Sequence, residues 1–214
     1  MGLRKTILAT GETYHIFNHS AGRIPIFRGQ RECSMFLEAI KFYLQPNPPT
    51  KFSIYRTSKE RFPIKLNPVL VKISCFCIMP NHFHLILRQE IDNGIRKFIQ
   101  RVSNSFAHYF SIKNRQRGHI FEGNFKAVHV ETDEQLLHLS RYIHLNPVTS
   151  YLVNDPEDYH YSSYKIYLGK ESSEIIDPSP ILNHFSSKDK YKEFVLSQKE
   201  YQRTLDKIKH LLLE

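Results

Sequence analysis

The chain has 214 residues, enough for one good-sized domain or a domain with an appendage, and 41% of them are hydrophobic, with 12 Tyr and 15 Phe, which indicates a packed core. No apolar run approaches membrane-spanning length, so a membrane protein is not expected. The formal net charge of +9 makes a polyanion, nucleic acid first, the expected partner. The three cysteines, Cys33, Cys75 and Cys77, are few and odd in number and read as reduced core residues. The N-terminal MGLRKTILATGE lacks a signal-peptide apolar region, and a cytoplasmic location is expected.

In chain order, residues 13–18 (TYHIFN) predict a first strand and residues 22–28 a turn-like stretch. Residues 31–44 carry Phe36, Leu37, Ile40, Tyr43 and Leu44 at helical spacing, and Pro46 ends that helix. Residues 45–50, with three prolines, form a loop. Residues 51–70 are ambiguous, with Phe52-Ser53-Ile54-Tyr55 readable as a strand. Residues 71–90 (VKISCFCIMPNHFHLILRQE) predict two strands joined by a turn at Met79-Pro80-Asn81. Asp92 or Asn93 is placed to cap a long helix whose apolar stripe is Ile95, Ile99, Val102, Phe106 and Tyr109.

Residues 113–126 (KNRQRGHIFEGNFK) interleave basic residues with aromatics, which suits phosphates and unpaired bases and equally suits a loop and hairpin with core phenylalanines. Thr132 and Gln135 read as a capping box for a helix that Pro147 terminates. Residues 159–167 (YHYSSYKIY) pack back on the domain, 170–180 read as a linker, and 181–214 as a helical appendage with Leu205, Ile208, Leu211 and Leu212 in one stripe. The expected division is residues 1–169 for a catalytic domain and 170–214 for the linker and extension.

The chemistry-bearing feature is His82-Phe83-His84. On a strand, positions i and i+2 share a face, so both imidazoles project together and Phe83 and Leu85 point the other way. Two imidazoles among Ile, Leu and Phe are costly to bury unless a metal or hydrogen-bond partner meets them. A tyrosine beside such a metal is an attractive nucleophile for a phosphodiester, because attack by a side chain preserves the bond energy in a phosphotyrosine. Tyr142 and Asn146, four apart, lie on one face of their helix, with His138 one turn before, and suit the roles of nucleophile and third ligand. Spacing alone does not choose Tyr142, which also reads as core, and Tyr109 is its rival on an apolar stripe.

The motifs MPNHFHL, GHIFEGNFKA, YIHLNPV and DPEDYHYSSY, in that order over roughly residues 13–169, resemble the IS200-like family of HUH tyrosine transposases, in particular the branch associated with repetitive extragenic palindromes. The resemblance implies an α+β, ferredoxin-like or RRM-like fold: an antiparallel sheet with helices packed on it, extended here by the C-terminal helical appendage. It implies cleavage and rejoining of single-stranded DNA next to hairpins, with Mg²⁺ or Mn²⁺ as cofactor. It puts the nucleophile on Tyr142 and the metal ligands on His82, His84 and Asn146, where insertion-sequence members commonly carry Gln instead of Asn. It also implies a homodimer in which each tyrosine serves the partner's metal site.

The basic residues expected to meet DNA are Arg96, Lys97, Arg101, Lys113, Arg115, Arg117 and Lys126; for those on the long helix, a solvated surface is the competing reading. Asn124 stands where the family usually has Arg. The competing function is a hairpin-binding protein that no longer cuts. A hydrolase of the His-x-His-x-His type fits poorly because position 86 is Ile, and a two-histidine phosphodiesterase fits poorly because His160-Tyr161-Ser162 is the single motif of its kind.

Overall fold

The computed structural model describes residues 7–202. Strand β1 (Thr13–His19) leads to α1 (Gln30–Tyr43) and a short α2 (Phe52–Thr57), then β2 (Val71–Met79) and β3 (His82–Gln89). The long α3 (Gly94–Asn114), β4 (Lys126–His129) and α4 (Asp133–Thr149) follow, and then α5 (Tyr164–Tyr167), α6 (Ser179–Leu182) and α7 (Lys188–Leu196). The sheet order is β2-β3-β1-β4, and every pairing is antiparallel. A β-α-β-β-α-β path with this order is the ferredoxin-like arrangement, as expected for an α+β chain.

Strand alternation divides the core in two. Phe83, Leu85 and Leu87 face α1 and α3, where Phe36, Phe98, Phe106 and Phe110 are fully buried. On the other sheet face Cys75, Cys77, Met79 and Ile86 meet Ile143, Leu145 and Val148 of α4, together with Tyr164, Tyr167, Tyr191 and Val195. Burial of these side chains is the main stabilising term. The second face is only partly covered: where β1 and β3 run beside α4, it opens into a cleft.

Several expectations need correction. Phe52–Thr57 is a helix, because Phe52 and Tyr55 are one turn apart and both pack on Phe42. Neither Asp92 nor Asn93 caps α3 with its side chain. Asn93 takes a left-handed backbone (φ 58°), and the Asp92 carboxylate accepts from the Thr10 hydroxyl. The buried face of α3 runs through Phe98 and Phe110, with Tyr109 only half-buried at its margin. Helix α4 continues two residues past Pro147, since a proline this close to the C-terminus removes one backbone bond and leaves few behind it. Its capping box forms, with Gln135 N–H donating to Thr132 Oγ1 and the Gln135 amide accepting from the Glu131 N–H.

Residues 170–180, expected as a linker, are tied to the sheet. Ile176 bridges Ile73, and Asp177 N–H donates to the Ile73 carbonyl at 2.9 Å. Residues 161–163 likewise bond the backbone of Phe76 and Ile78, so the aromatic segment does pack back as expected. The stripe from Leu205 to Leu212 lies outside the described residues. Among the described residues no helix is long and apolar enough to cross a membrane.

Candidate active site

Cross-strand register builds the site. His82 stands opposite His19 on β1 and Met79 on β2, and His84 stands opposite Phe17 and Cys77. By alternation His15, Phe17 and His19 share the face of His82 and His84, so four imidazoles gather there. The rings of His19 and His82 are 4.9 Å apart, those of His15 and His84 5.1 Å, and those of His82 and His84 4.9 Å at 88°.

Each histidine of the pair has one ring nitrogen engaged behind it. His82 Nδ1–H donates to Asn81 Oδ1 at 2.7 Å, and His84 Nδ1 lies 2.9 Å from His15 Nε2. The forward nitrogen of His84, Nε2, meets the Asn146 amide at 3.4 Å. Burial, then the neighbouring His19 and Arg23, push the His82 pKa down to about 4. Burial and the surrounding rings hold His84 well below its usual value, and burial puts His15 at about 4. At neutral pH all three are therefore uncharged, the form in which imidazole binds metal.

Helix α4 brings the tyrosine. From Ser140 to Thr149 its side chains are buried except Tyr142, which is 39% exposed. The Tyr142 ring stands edge-on to His84, with centroids 5.6 Å apart and planes at 80°. Tyr142 and Asn146 line one cleft of about 560 Å³ with His19, Arg23, Asn81 and His82. The core reading of Tyr142 is thus excluded. Tyr109 is far from this chemistry, since α3 covers the opposite face of the sheet.

The donor set suits a divalent cation: two neutral imidazoles and an amide whose oxygen is a hard ligand, so the pair of histidines favours Mn²⁺ and the oxygen accommodates Mg²⁺. Among the described residues no group of three His, Cys, Asp or Glu is arranged to hold a metal ion, so a third ligand has to come from outside those residue types. Asn146, whose Nδ2 donates to His84 Nε2, is an amide of that other kind beside the pair.

The basic residues are scattered. Lys126 lies beside the histidines, its Nζ 5.9 Å from the Phe17 ring, and with Arg23 it depresses the His19 pKa after burial has done so. Arg96 lines a separate cavity of about 730 Å³ with Gln100, Asn104 and His119 on the α3 side of the sheet. Arg101 donates to the Pro46 carbonyl, Lys113 pairs with the buried Glu32, Arg115 closes α3 in a left-handed conformation, and Lys97 and Arg117 are exposed. His15, His19, Arg23 and Asn81 were not singled out by sequence reasoning. The alternation His15-Phe17-His19 was the available signal, open to the same rule that paired His82 with His84.

Residues 55–146 match the family described as transposase IS200 like, a span that contains His82, His84, Tyr142 and Asn146. This segment, a little under half of the chain, is similar to the IS200-like transposases. The likeness of fold extends beyond it: a solved REP-associated tyrosine transposase bound to a REP hairpin superposes with a TM-score of 0.57 at 16% identity, covering 83% of this chain and 94% of the other. A candidate transposase from Deinococcus radiodurans R1 gives a TM-score of 0.37 at 11% identity, covering 66% and 95%. No curated protein matches the chain.

Proposed function

We propose that the chain is a metal-dependent single-stranded DNA transposase that cuts and rejoins DNA beside a hairpin, with Tyr142 as nucleophile. The observation that carries this is the exposed Tyr142 ring against His84, in a cleft shared with His82 and Asn146. Tyr142 Oη forms a bond to the scissile phosphorus as the bond to the 3′ oxygen breaks. The phenolic proton passes to solvent, and the departing oxygen takes up a proton to become a free 3′-hydroxyl. The 5′ end stays on Tyr142 as a phosphotyrosine, and the reverse attack by a 3′-hydroxyl rejoins the strand and restores the phenol.

His82, His84 and Asn146 are the residues that would hold Mg²⁺ or Mn²⁺. When bound, the ion supplies Lewis-acid stabilisation of charge on the phosphate oxygens. His82 and His84 are kept neutral by burial, His82 lining the cleft and His84 standing against Asn146 at its wall, while Arg23, Lys126 and the other exposed cations attract the DNA backbone. Tyr142 lies beside the histidines of its own chain, which supports cleavage in cis; a homodimer is not required to complete the site. Three free, buried cysteines suit the cytoplasm as the working compartment.

The test is cleavage of labelled single-stranded hairpin DNA with Mn²⁺, with chelator, and with Tyr142→Phe. Cleavage that needs both the metal and the phenol supports the proposal. A gel shift without any cleavage on cognate DNA would favour a protein that only binds hairpins.

A further inference from the structure

A metal-binding histidine works only in one tautomer: the nitrogen that faces the ion must carry the lone pair, so the proton must sit on the other nitrogen and needs an acceptor there. His82 has that acceptor in the Asn81 side chain, its own neighbour in sequence. His84 has it from another strand. Its Nδ1 is 2.9 Å from His15 Nε2, while its Nε2 faces Asn146.

The placement of His15 is tightly determined. Its ring is sandwiched in the row along β1 and β3, 4.8 Å from Phe17 at 28° and 5.1 Å from His84 at 23°. The His84 end of this hydrogen bond is buried and the His15 end is partly buried, so the bond is partly shielded from water. Neither His15 nor His84 lines the cleft that holds Tyr142, His82 and Asn146; His84 touches Asn146 and the Tyr142 ring at its wall, and His15 reaches them through His84.

We propose that His15 is a positioning residue of this transposase, accepting the Nδ1 proton of His84 and thereby turning the His84 Nε2 lone pair toward the cation. The inference rests on the reading of His82 and His84 as metal ligands. With the proton held at His84 Nδ1, the Nε2 lone pair is aimed at the cleft before any ion arrives, and the acceptor behind it strengthens it as a donor. In return His15 must keep its own proton on Nδ1. Without the acceptor, His84 is free to place its proton on Nε2, where it blocks coordination.

Two substitutions separate this role from packing. His15→Phe keeps an aromatic ring in the stack and removes the acceptor. His15→Gln sets an amide oxygen near the position of Nε2 and restores it. The imidazole tautomers are read by long-range ¹H–¹⁵N correlation on metal-free protein, with His84 assigned by its loss in His84→Gln, and Mn²⁺ affinity is read separately by electron paramagnetic resonance.

The expected result is a parent His84 protonated at Nδ1, lost or mixed in His15→Phe and regained in His15→Gln. Mn²⁺ affinity should fall by roughly 10- to 100-fold in the Phe variant and return with Gln. A His15→Phe protein with an unchanged tautomer and unchanged Mn²⁺ affinity would overturn the inference. So would a Gln variant as impaired as Phe, because that is the signature of lost packing. A parent that shows the Nδ1–H tautomer but binds no Mn²⁺ would overturn the metal reading itself, and the inference falls with it.

Discussion

Tyr142 and His84 stand edge to face, their ring centroids 5.6 Å apart, although one sits in the second half of α4 and the other near the start of β3. What holds them together is the second core. His144, two residues from Tyr142, is buried beneath the helix and fixed by Tyr191 Oη at 2.7 Å and Ser163 Oγ at 2.8 Å. The C-terminal helices therefore clamp α4 onto the sheet, and the position of the tyrosine depends on residues long after it in sequence.

Asn146→Ala removes the amide that meets His84 and leaves the histidines in place. Mn²⁺ affinity and metal-dependent cleavage should both fall by at least about tenfold, with hairpin binding in chelator unchanged. Titration calorimetry and a cleavage assay check this. Unchanged Mn²⁺ binding would remove Asn146 from the ligand set.

Lys126→Ala removes an exposed cation beside the histidine cluster. The affinity for single-stranded DNA should fall to a similar degree for all sequences, and the slope of log affinity against log salt should become shallower by about 0.7. Fluorescence anisotropy at several salt concentrations measures both. A sequence-dependent loss with no change in slope would contradict a phosphate contact.

Stability should fall on acidification. Burial lowers the His144 pKa from 6.5 to about 3, so the unfolded chain takes up a proton near pH 6.5 while the folded chain refuses it. The stabilisation from keeping this ring neutral is complete above pH 6.5 and is lost as pH falls from there toward 3, by at most about 1.4 kcal/mol per pH unit. Burial of His15 acts in the same direction. Urea midpoints measured between pH 7.5 and 4.5 should decline, and His144→Gln should start lower and decline less steeply. An unchanged slope in that variant would contradict the assignment.

Gly94→Ala reverses the usual helix preference. Alanine is ordinarily better than glycine in a helix by about 1 kcal/mol. At Gly94 an added Cβ would collide with the backbone carbonyl oxygen of Leu70, which also accepts from the Glu90 N–H. Thermal unfolding should show a lower Tm for Gly94→Ala. A higher Tm would mean that the β2 and α3 termini separate easily.

The parts of the site that were legible in the sequence are those governed by local periodicity. His82 and His84 share a face because strands alternate, and Tyr142 and Asn146 share one because helices turn. Tyr142 stands against His84, and Asn146 meets the same ring, within one chain. What was not legible depends on partners distant in sequence. His15 and His19 join the site through the register of β1 on β3, which no single strand discloses. Strand β4 is four residues long, at the sheet edge, and only its Lys126 falls in the basic aromatic stretch, with Ala127-Val128-His129 beyond it. The short helix at Phe52 is ambiguous in sequence because four residues fit either period. The anchoring of Ile176 on Ile73 and of Tyr191 on His144 unites segments too far apart for any local pattern.

The most direct test of the central claim is to trap the covalent product. The protein would be incubated with single-stranded hairpin DNA and Mn²⁺, digested with nuclease and protease, and the nucleotide-bearing peptide sequenced by mass spectrometry. The account predicts a phosphotyrosyl nucleotide on Tyr142, absent with chelator and absent in Tyr142→Phe. Cleaved DNA with the adduct on another residue, or with no adduct at all, would contradict it.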